Sequence, residues 1–513
     1  MGSNDKPGVD GPRGGRGRVL LDMVLNLTSY GASMLSMLLY SPYLVSHLGV
    51  AAYGFVPLMM SAVQYLGIFT SSLQISASRA LAQALEEGND ERASVVLSTI
   101  LLALLVVFLV LGPGVIWLAF QVDSLLRIPP GIGEDVRLLA FGSLSMFLLG
   151  ALASILELVV YIQSRFDLRS GMTVVTIATR VGVPVLLFEA IAPRLRYVGV
   201  GLAASAMVHL ILAAWSARRL LPSLRLTWRL ASLSVLWEVW TVGGWTMATQ
   251  LGVLLFLNAD LLVLNRVLGP QISGQYALVQ VWVTLLISVG SSVSGVFGPR
   301  LLGALVGERD TDARLLAEES VKTVALIMAL PVGLVSGFAE PLLTSWQGAS
   351  FAHLAPLLSL VVLPFGLSLG YQPLASVFLG RKALQLPAIV QLVAGLASVT
   401  GGYLLARYTH LGLWSPVLVG GTIQLLRSCG FTPLYAARLL GLPRLTFLRL
   451  SLFALAATLA VAVLSRQLGA WLRPLGWLQL GAAASMVCIL HGVGLWFLLF
   501  RSRGPFPPLW RRP

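Results

Sequence analysis

The sequence predicts an all-α polytopic membrane protein with fourteen transmembrane helices, and three observations lead there. Stretches free of Asp, Glu, Lys and Arg run from Met23 to Ser78, Ala93 to Val122, Val267 to Pro299 and Pro341 to Gly380. A hydrocarbon core about 30 Å thick is crossed by about 20 apolar helical residues, so each stretch is long enough for one crossing or two. Composition agrees: at 57% hydrophobic, 11% charged and a mean hydropathy of +0.85, 513 residues lack the polar surface to dissolve in water. Finally, the alternation of apolar and polar residues over segments of about ten that a membrane β-barrel requires does not appear.

Taken in order between clusters of charge and turn residues, the expected spans lie near 19–46, 53–79, 94–121, 137–163, 170–191 and 197–217. A second series lies near 234–266, 273–299, 321–342, 353–380, 384–406 and 413–437, followed by 446–466 and 476–500. This gives a basic cytosolic arm (1–18), a six-helix bundle (19–217), a cytosolic linker (218–233), a second six-helix bundle (234–440), and two extra C-terminal helices with a tail (441–513). The arm is rich in Gly and Arg and lacks the apolar centre of a signal peptide. Cys429 and Cys488 both fall inside apolar spans, where they read as small hydrophobes rather than a disulfide.

Orientation follows from the positive-inside rule. With the N-terminus cytosolic, inner segments hold 25 of the 35 basic residues, while the outer loops hold only eight: Arg127, Arg137, Arg194, Arg196, Arg266, Arg407, Arg466 and Arg473. Both termini are therefore expected on the cytosolic side of the membrane. The net charge of +14 is spread over segments next to spans, which points to anionic membrane lipids as partners and away from nucleic acid.

The two halves also share a weak repeat at an offset of about 220 residues. Leu48-Gly49 precedes Gly54 by the spacing that separates Leu268-Gly269 from Gly274. A nearly charge-free helix follows each, ending at Arg79 or Arg300, and then come Leu85 and Gly88, or Leu305 and Gly307. The Leu-Gly-x4-Gly element reads as a tight turn that needs glycine, and Arg79 and Arg300 as anchors at the inner interface. Six spans separate the copies, so both halves point the same way: two parallel six-helix repeats with a cavity between them.

Charges within spans are costly and should face a cavity or a partner. Arg180 has two readings, a salt bridge to Glu157 or a ligand for an anionic group, which its planar donor fork suits. Arg427 either snorkels to the inner interface or lines the cavity. Asp260 either pairs with Arg266 or Asn258, or binds a coupling cation or proton; Glu157 is a second candidate for ion coupling. Of the polar residues in apolar helices, which include Gln64, Gln280, Gln391 and Gln424, most are expected to make interhelical hydrogen bonds. Asn26, Gln250 and Gln275 are the first candidates to line the cavity and contact a carried ligand.

The pattern Asn26, Pro42, Leu48-Gly49, Tyr53-Gly54 and Arg79, followed by Asp260, Leu268-Gly269, Gly274-Gln275-Tyr276 and Arg300, resembles the polysaccharide biosynthesis (O-antigen type) flippases. These belong to the multidrug/oligosaccharidyl-lipid/polysaccharide exporter superfamily. The resemblance spans residues 19–440 in architecture. It implies a V-shaped pair of bundles around a central cavity, alternating between inward-open and outward-open forms and carrying polyprenyl diphosphate-linked oligosaccharide to the outer leaflet. Polysaccharide polymerase and glycosyltransferases would be its partners. The two additional spans resemble the fourteen-helix lipid II flippase branch.

An enzyme is disfavoured: the five histidines are scattered, no loop is long enough to display a catalytic set, and neither a phosphate cradle nor an HExxH motif occurs. No cofactor and no metal are expected. A multidrug or toxic-compound cation antiporter of the same superfamily is the main alternative. A cavity for cationic drugs should be acidic, whereas Arg180 and Arg427 offset Glu157 and Asp260.

Overall fold

The computed structural model describes residues 16–163, 165–222, 244–472 and 476–496. Among them every regular element is helical. The first half comprises α1 (Arg16–Leu48), α2 (Val50–Tyr53), α3 (Phe55–Glu86), α4 (Asp90–Phe120), α5 (Val122–Leu125), α6 (Gly133–Ile162), α7 (Phe166–Ala190) and α8 (Leu195–Leu220). The second begins with α9 (Gly244–Leu268), α10 (Pro270–Gly295), α11 (Gly298–Val306), α12 (Asp310–Gly337) and α13 (Ala339–Gln347). A broken run follows: α14 (Ala355–Val362), α15 (Phe365–Ser368) and α16 (Ala375–Gly380), with 3-10 turns at Ala349–Leu354 and Leu369–Leu374. Next come α17 (Gln385–Tyr408), α18 (Trp414–Leu426), a π-helical turn at Arg427–Phe431, α19 (Thr432–Leu440), α20 (Thr446–Leu472) and α21 (Trp477–Trp496).

Twelve helical segments among the described residues are long and apolar enough to cross a membrane. They coincide with twelve of the expected spans, and the protein is a multi-pass membrane protein. The remaining two positions hold α1 and the run from α18 to α19, whose regular pattern is interrupted by the π turn. Large apolar side chains are turned outward throughout, such as Leu109 at 76% and Leu478 at 92% exposure, as lipid rather than water contact demands. The N-terminal residues 1–15, most of the expected linker and the C-terminal tail fall outside the described residues.

The chain divides into two compact units. The first holds the described residues of 1–40, 66–122 and 134–243. Its core is Leu73, Leu81, Leu97, Ile100 and Leu104 of α3 and α4 against Ile155 and Val159 of α6 and Ala213 of α8. The α6–α8 crossing is so close that a Cβ on Gly142 would lie 2.2 Å from the Gly199 carbonyl oxygen. Small residues permit such approaches where lipid supplies no hydrophobic drive to press helices together.

The second unit holds the described residues of 41–65, 123–133 and 244–513. Leu301, Val321, Leu367, Leu374 and Phe447 form its main cluster. Gly252 of α9 and Gly395 of α17 approach the partner backbone at 2.6 Å for an added Cβ, and Gly333 and Gly337, one turn apart on α12, seat Val461 and Ala462 of α20. The first of the two C-terminal helices beyond the repeat is thus packed into this unit through a Gly-x3-Gly face.

The repeat is visible in backbone geometry. Gly49 (φ 80°, ψ 161°) and Gly269 (φ 100°, ψ 172°) adopt matching conformations at the head of the next helix. The inner turns match as well. Gly88 and Glu308 both have positive φ, at 65° and 54°. Asn89 N–H donates to Ala84 O at 2.9 Å and Arg309 N–H to Ala304 O at 3.0 Å, the six-to-one bond of a Schellman cap. The glycine expected to serve the second copy, Gly307, lies one residue too early with φ −79°, and Glu308 takes the left-handed position instead.

Candidate functional site

Within the second unit, α9 and α10 leave the Gly269 turn side by side, so side chains at similar distances from the turn face each other. Asp260 lies eight residues before Leu268, and Tyr276 lies seven after Gly269. The Tyr276 hydroxyl donates to Asp260 Oδ2 at 2.9 Å, with both residues buried. Asp260 Oδ1 is also buried and has no hydrogen-bond partner among the described residues. A buried carboxylate oxygen without a donor is costly, and such an atom inside a span makes Asp260 a candidate functional residue.

Asp260 opens on a cavity of about 40 Å³. Its wall includes Phe256 of α9, Tyr276 and Gln280 of α10, Pro364 at the break between α14 and α15, and Pro416, Gly420 and Gln424 of α18. Gly402 of α17 adjoins it: a Cβ there would come 3.8 Å from Asp260 Oδ1. Pro364 interrupts the span around it because proline has no N–H to continue the helix. Broken helices are tolerated at membrane depth where the backbone borders protein or a cavity. The volume suits a water molecule or a small cation.

Arg427 stands beside this cavity. One guanidinium nitrogen donates to Gln391 Oε1 of α17 and the other to Gln424 Oε1 at 2.8 Å. Its guanidinium carbon also lies 5.6 Å from the Phe256 ring centroid, a cation–π contact. Gln424 and Phe256 therefore touch both Arg427 and the Asp260 cavity. Arg427 opens the π turn, and a π turn displaces side chains from their ordinary register, a feature frequent at functional sites.

Two further bonds fix α9. Tyr65 donates to Leu254 O at 3.0 Å and Asn258 Nδ2 to Gln64 Oε1 at 3.2 Å. Nearer the Gly269 turn, Asn265 clamps the backbone of Arg127, accepting from its N–H at 2.9 Å.

Several sequence expectations change on this geometry. Asp260 pairs with neither Arg266 nor Asn258: Arg266 is exposed, and Asn258 is engaged by Gln64. Arg427 does not snorkel, because two glutamines and a ring hold it within the bundle. The expected ion pair between Glu157 and Arg180 does not form. Glu157 accepts instead from Arg169 at 2.8 Å and lies 3.3 Å from His209 Nε2. Arg180 lies eleven residues beyond Arg169 on the same helix, about 16 Å further at 1.5 Å per residue, and Arg169 reaches the carboxylate first. Arg180 is half-buried and makes no ion pair among the described residues.

Of the remaining candidates, Gln250 is exposed on α9, Gln275 is half-buried on α10 beside Tyr276 but off the cavity wall, and Arg300 is exposed on α11. Asn26 lies on α1 and Arg79 on α3, with side chains outside the described residues. Tyr276, Gln280, Gln391 and Gln424 are the site residues that sequence reasoning treated only as ordinary polar contacts or as part of a motif. Equal distance from a glycine turn is the signal that locates Tyr276 opposite Asp260; nothing comparable in the sequence joins Gln391 to Arg427.

The polysaccharide biosynthesis protein family matches residues 19–302 of this chain. "Uncharacterized membrane protein EpsK" of Bacillus subtilis (strain 168) is 30% identical over 425 residues, covering 83% of this chain and 84% of that protein. Among solved structures, the lipid II flippase MurJ in its inward closed conformation superposes with a TM-score of 0.64 at 12% identity, covering 94% of this chain and 99% of that one. An inward-facing multidrug resistance MATE family transporter of the MOP superfamily gives 0.60 at 16% identity, covering 79% and 95%. At these identities the likeness is one of fold. With more than half its length matched and a relative at 30% identity over most of it, the chain belongs to the polysaccharide biosynthesis protein family and has the fold of the MOP-superfamily transporters and flippases.

Proposed function

We propose that this protein is a flippase that moves a polyprenyl diphosphate-linked oligosaccharide from the cytoplasmic to the outer leaflet by alternating access. The observation that carries the reading is Arg427, a guanidinium held inside a membrane bundle by Gln391 and Gln424 beside the Asp260 cavity. A fixed embedded cation suits a diphosphate, which accepts paired hydrogen bonds from a planar fork. Arg180, half-buried without an ion pair among the described residues, supplies a second positive group in the other unit. Asn26, Gln250 and Gln275 remain candidates for the sugar moiety, and Arg79 and Arg300 for anchoring at the inner interface. Fourteen crossings, cytosolic termini and a bacterial cytoplasmic membrane complete the reading, with polymerase and glycosyltransferases as neighbours in the assembly route.

Asp260 is the coupling site on this reading. Its unpartnered Oδ1, the Tyr276 hydroxyl and the amides of Gln280 and Gln424 offer only oxygen ligands and neutral donors around a small volume. Such a set suits a proton or one small monovalent cation. Glu157, bound by Arg169 and His209, is the corresponding candidate in the first unit.

The test uses purified protein in proteoliposomes loaded with a lipid-linked oligosaccharide on one leaflet. Appearance of the glycan on the other leaflet, read by a membrane-impermeant glycosidase, should accelerate with an imposed sodium or proton gradient. Absence of translocation, together with export of a cationic dye, would instead assign the protein to drug extrusion.

A further inference from the structure

A second cavity of about 500 Å³ lies in the second unit, far larger than the one at Asp260. It is bounded by Pro42, Tyr43 and Ser46 near the end of α1, by Val50 after the Gly49 turn, and by Gln347 and Phe351 on either side of Gly348. Gln347 Nε2 and Oε1 are both buried, and neither has a hydrogen-bond partner among the described residues. An amide deprived of partners at both ends is doubly costly to leave so in a folded protein.

The chemistry of this wall narrows the ligand. No Lys or Arg among the described residues lines it, so it does not suit a diphosphate. Tyr43 and Phe351 offer aromatic surface, and Gln347 offers one acceptor and two donors at one place. A pyranose ring combines an apolar C–H face with hydroxyls that both donate and accept, and this wall answers both. The volume lies within the ~300–1,000 Å³ of small-molecule sites and admits a small saccharide. Simple hydrocarbon, such as a lipid tail, would leave the amide unpaired.

We infer that this cavity is a saccharide-binding subsite in which Gln347 pairs with ring hydroxyls against Tyr43 and Phe351. The inference rests on the flippase reading above, under which this end of α1 and α13 faces the outer side. There the subsite receives the glycan as it leaves the translocation route, while the diphosphate is held elsewhere. Positive φ at Gly49 (80°) and Gly348 (101°) shapes the two turns that border the cavity.

The experiment uses the full chain in nanodiscs and three probes: the cell's own lipid-linked oligosaccharide pool, the glycan released from that pool by mild acid, and polyprenyl diphosphate alone. Saturation-transfer NMR on the released glycan should show contact to ring protons, and Gln347→Leu and Tyr43→Leu should each raise Kd at least fivefold. Gln347→Leu should not lower Tm, because it removes an unpaired amide, so a loss of binding is not a loss of fold. Polyprenyl diphosphate should fail to displace the glycan. A tighter Kd for the lipid-linked pool with the same Gln347 dependence makes the transported headgroup the occupant, and equal Kd values make it the free glycan; either outcome supports the subsite. Equal binding by wild type and Gln347→Leu overturns it, as does displacement by polyprenyl diphosphate. If the lipid-linked pool binds but the released glycan does not, the subsite falls and the flippase stands. If neither binds, both fall.

Discussion

Arg427 donates to Gln424 Oε1 at 2.8 Å, and Gln424 in turn lines the cavity that contains Asp260. One amide therefore lies between the embedded guanidinium and the embedded carboxylate of the same unit. Because the Gln424 side chain borders both groups, any ligand that repositions it at the Asp260 cavity alters the support of Arg427. On the proposed flippase reading, coupling between a cation at Asp260 and an anionic substrate at Arg427 would run through this amide.

Replacing Arg427 tests the anionic end. Arg427→Ala leaves the Gln391 and Gln424 oxygens without their donor, and each such loss inside a bundle costs about 1–3 kcal/mol. We expect at least a tenfold fall in flipping at matched expression, with partial recovery in Arg427→Lys, which restores charge but not the two-point fork. Full transport by the Ala variant in proteoliposomes would remove Arg427 from the pathway.

Asp260→Asn keeps an acceptor for the Tyr276 hydroxyl and removes the charge. The variant should reach wild-type abundance and fluoresce as a single peak on size exclusion when tagged, yet its transport should no longer respond to an imposed gradient. Retained gradient dependence would exclude Asp260 as the coupling group.

Glu157→Gln offers the parallel test in the first unit. It preserves hydrogen bonding to Arg169 and His209 while deleting the carboxylate charge. Since Arg169 is half-exposed, the stability change should stay within about 1 kcal/mol. If Glu157 carries a proton during the cycle, the pH profile of transport flattens; a wild-type profile assigns it a structural role.

Gly54 and Gly274, second glycines of the two turn motifs, pack on each other: a Cβ on Gly54 would lie 2.8 Å from Gly274 Cα, and one on Gly274 would lie 2.1 Å from the Val50 carbonyl oxygen. Backbone cannot move aside as a side chain can, so Gly274→Ala should destabilise the protein by about 1–3 kcal/mol. Gly150→Ala, with nothing within 4 Å of the added carbon, is the control and should be neutral or stabilising. Thermal unfolding in detergent, compared between the two, decides the matter.

Glu308 occupies a left-handed position at φ 54°, where its counterpart in the first copy is Gly88. A side chain there costs about 1 kcal/mol relative to glycine, so Glu308→Gly should raise Tm without changing transport. A lowered Tm would show that the Glu308 side chain contributes more than the strain removes.

The membrane class, the order of the spans and the glycine turn of each half were legible in the sequence, because each depends on local composition: apolar length, absence of charge, and backbone freedom at one residue. Asp260, Arg180 and Arg427 were also identifiable, since charge in an apolar span is conspicuous whatever surrounds it. Their partners were not. Glu157 chose Arg169 over Arg180 on helical reach, Arg427 was met by Gln391 from a helix crossing at a glycine contact, and the amide of Gln347 was left without a partner by the packing of its neighbours. Sequence alone determined where polar groups enter the membrane; only the tertiary structure decided which of them are satisfied, because hydrogen bonds between helices depend on crossing geometry that no local pattern encodes.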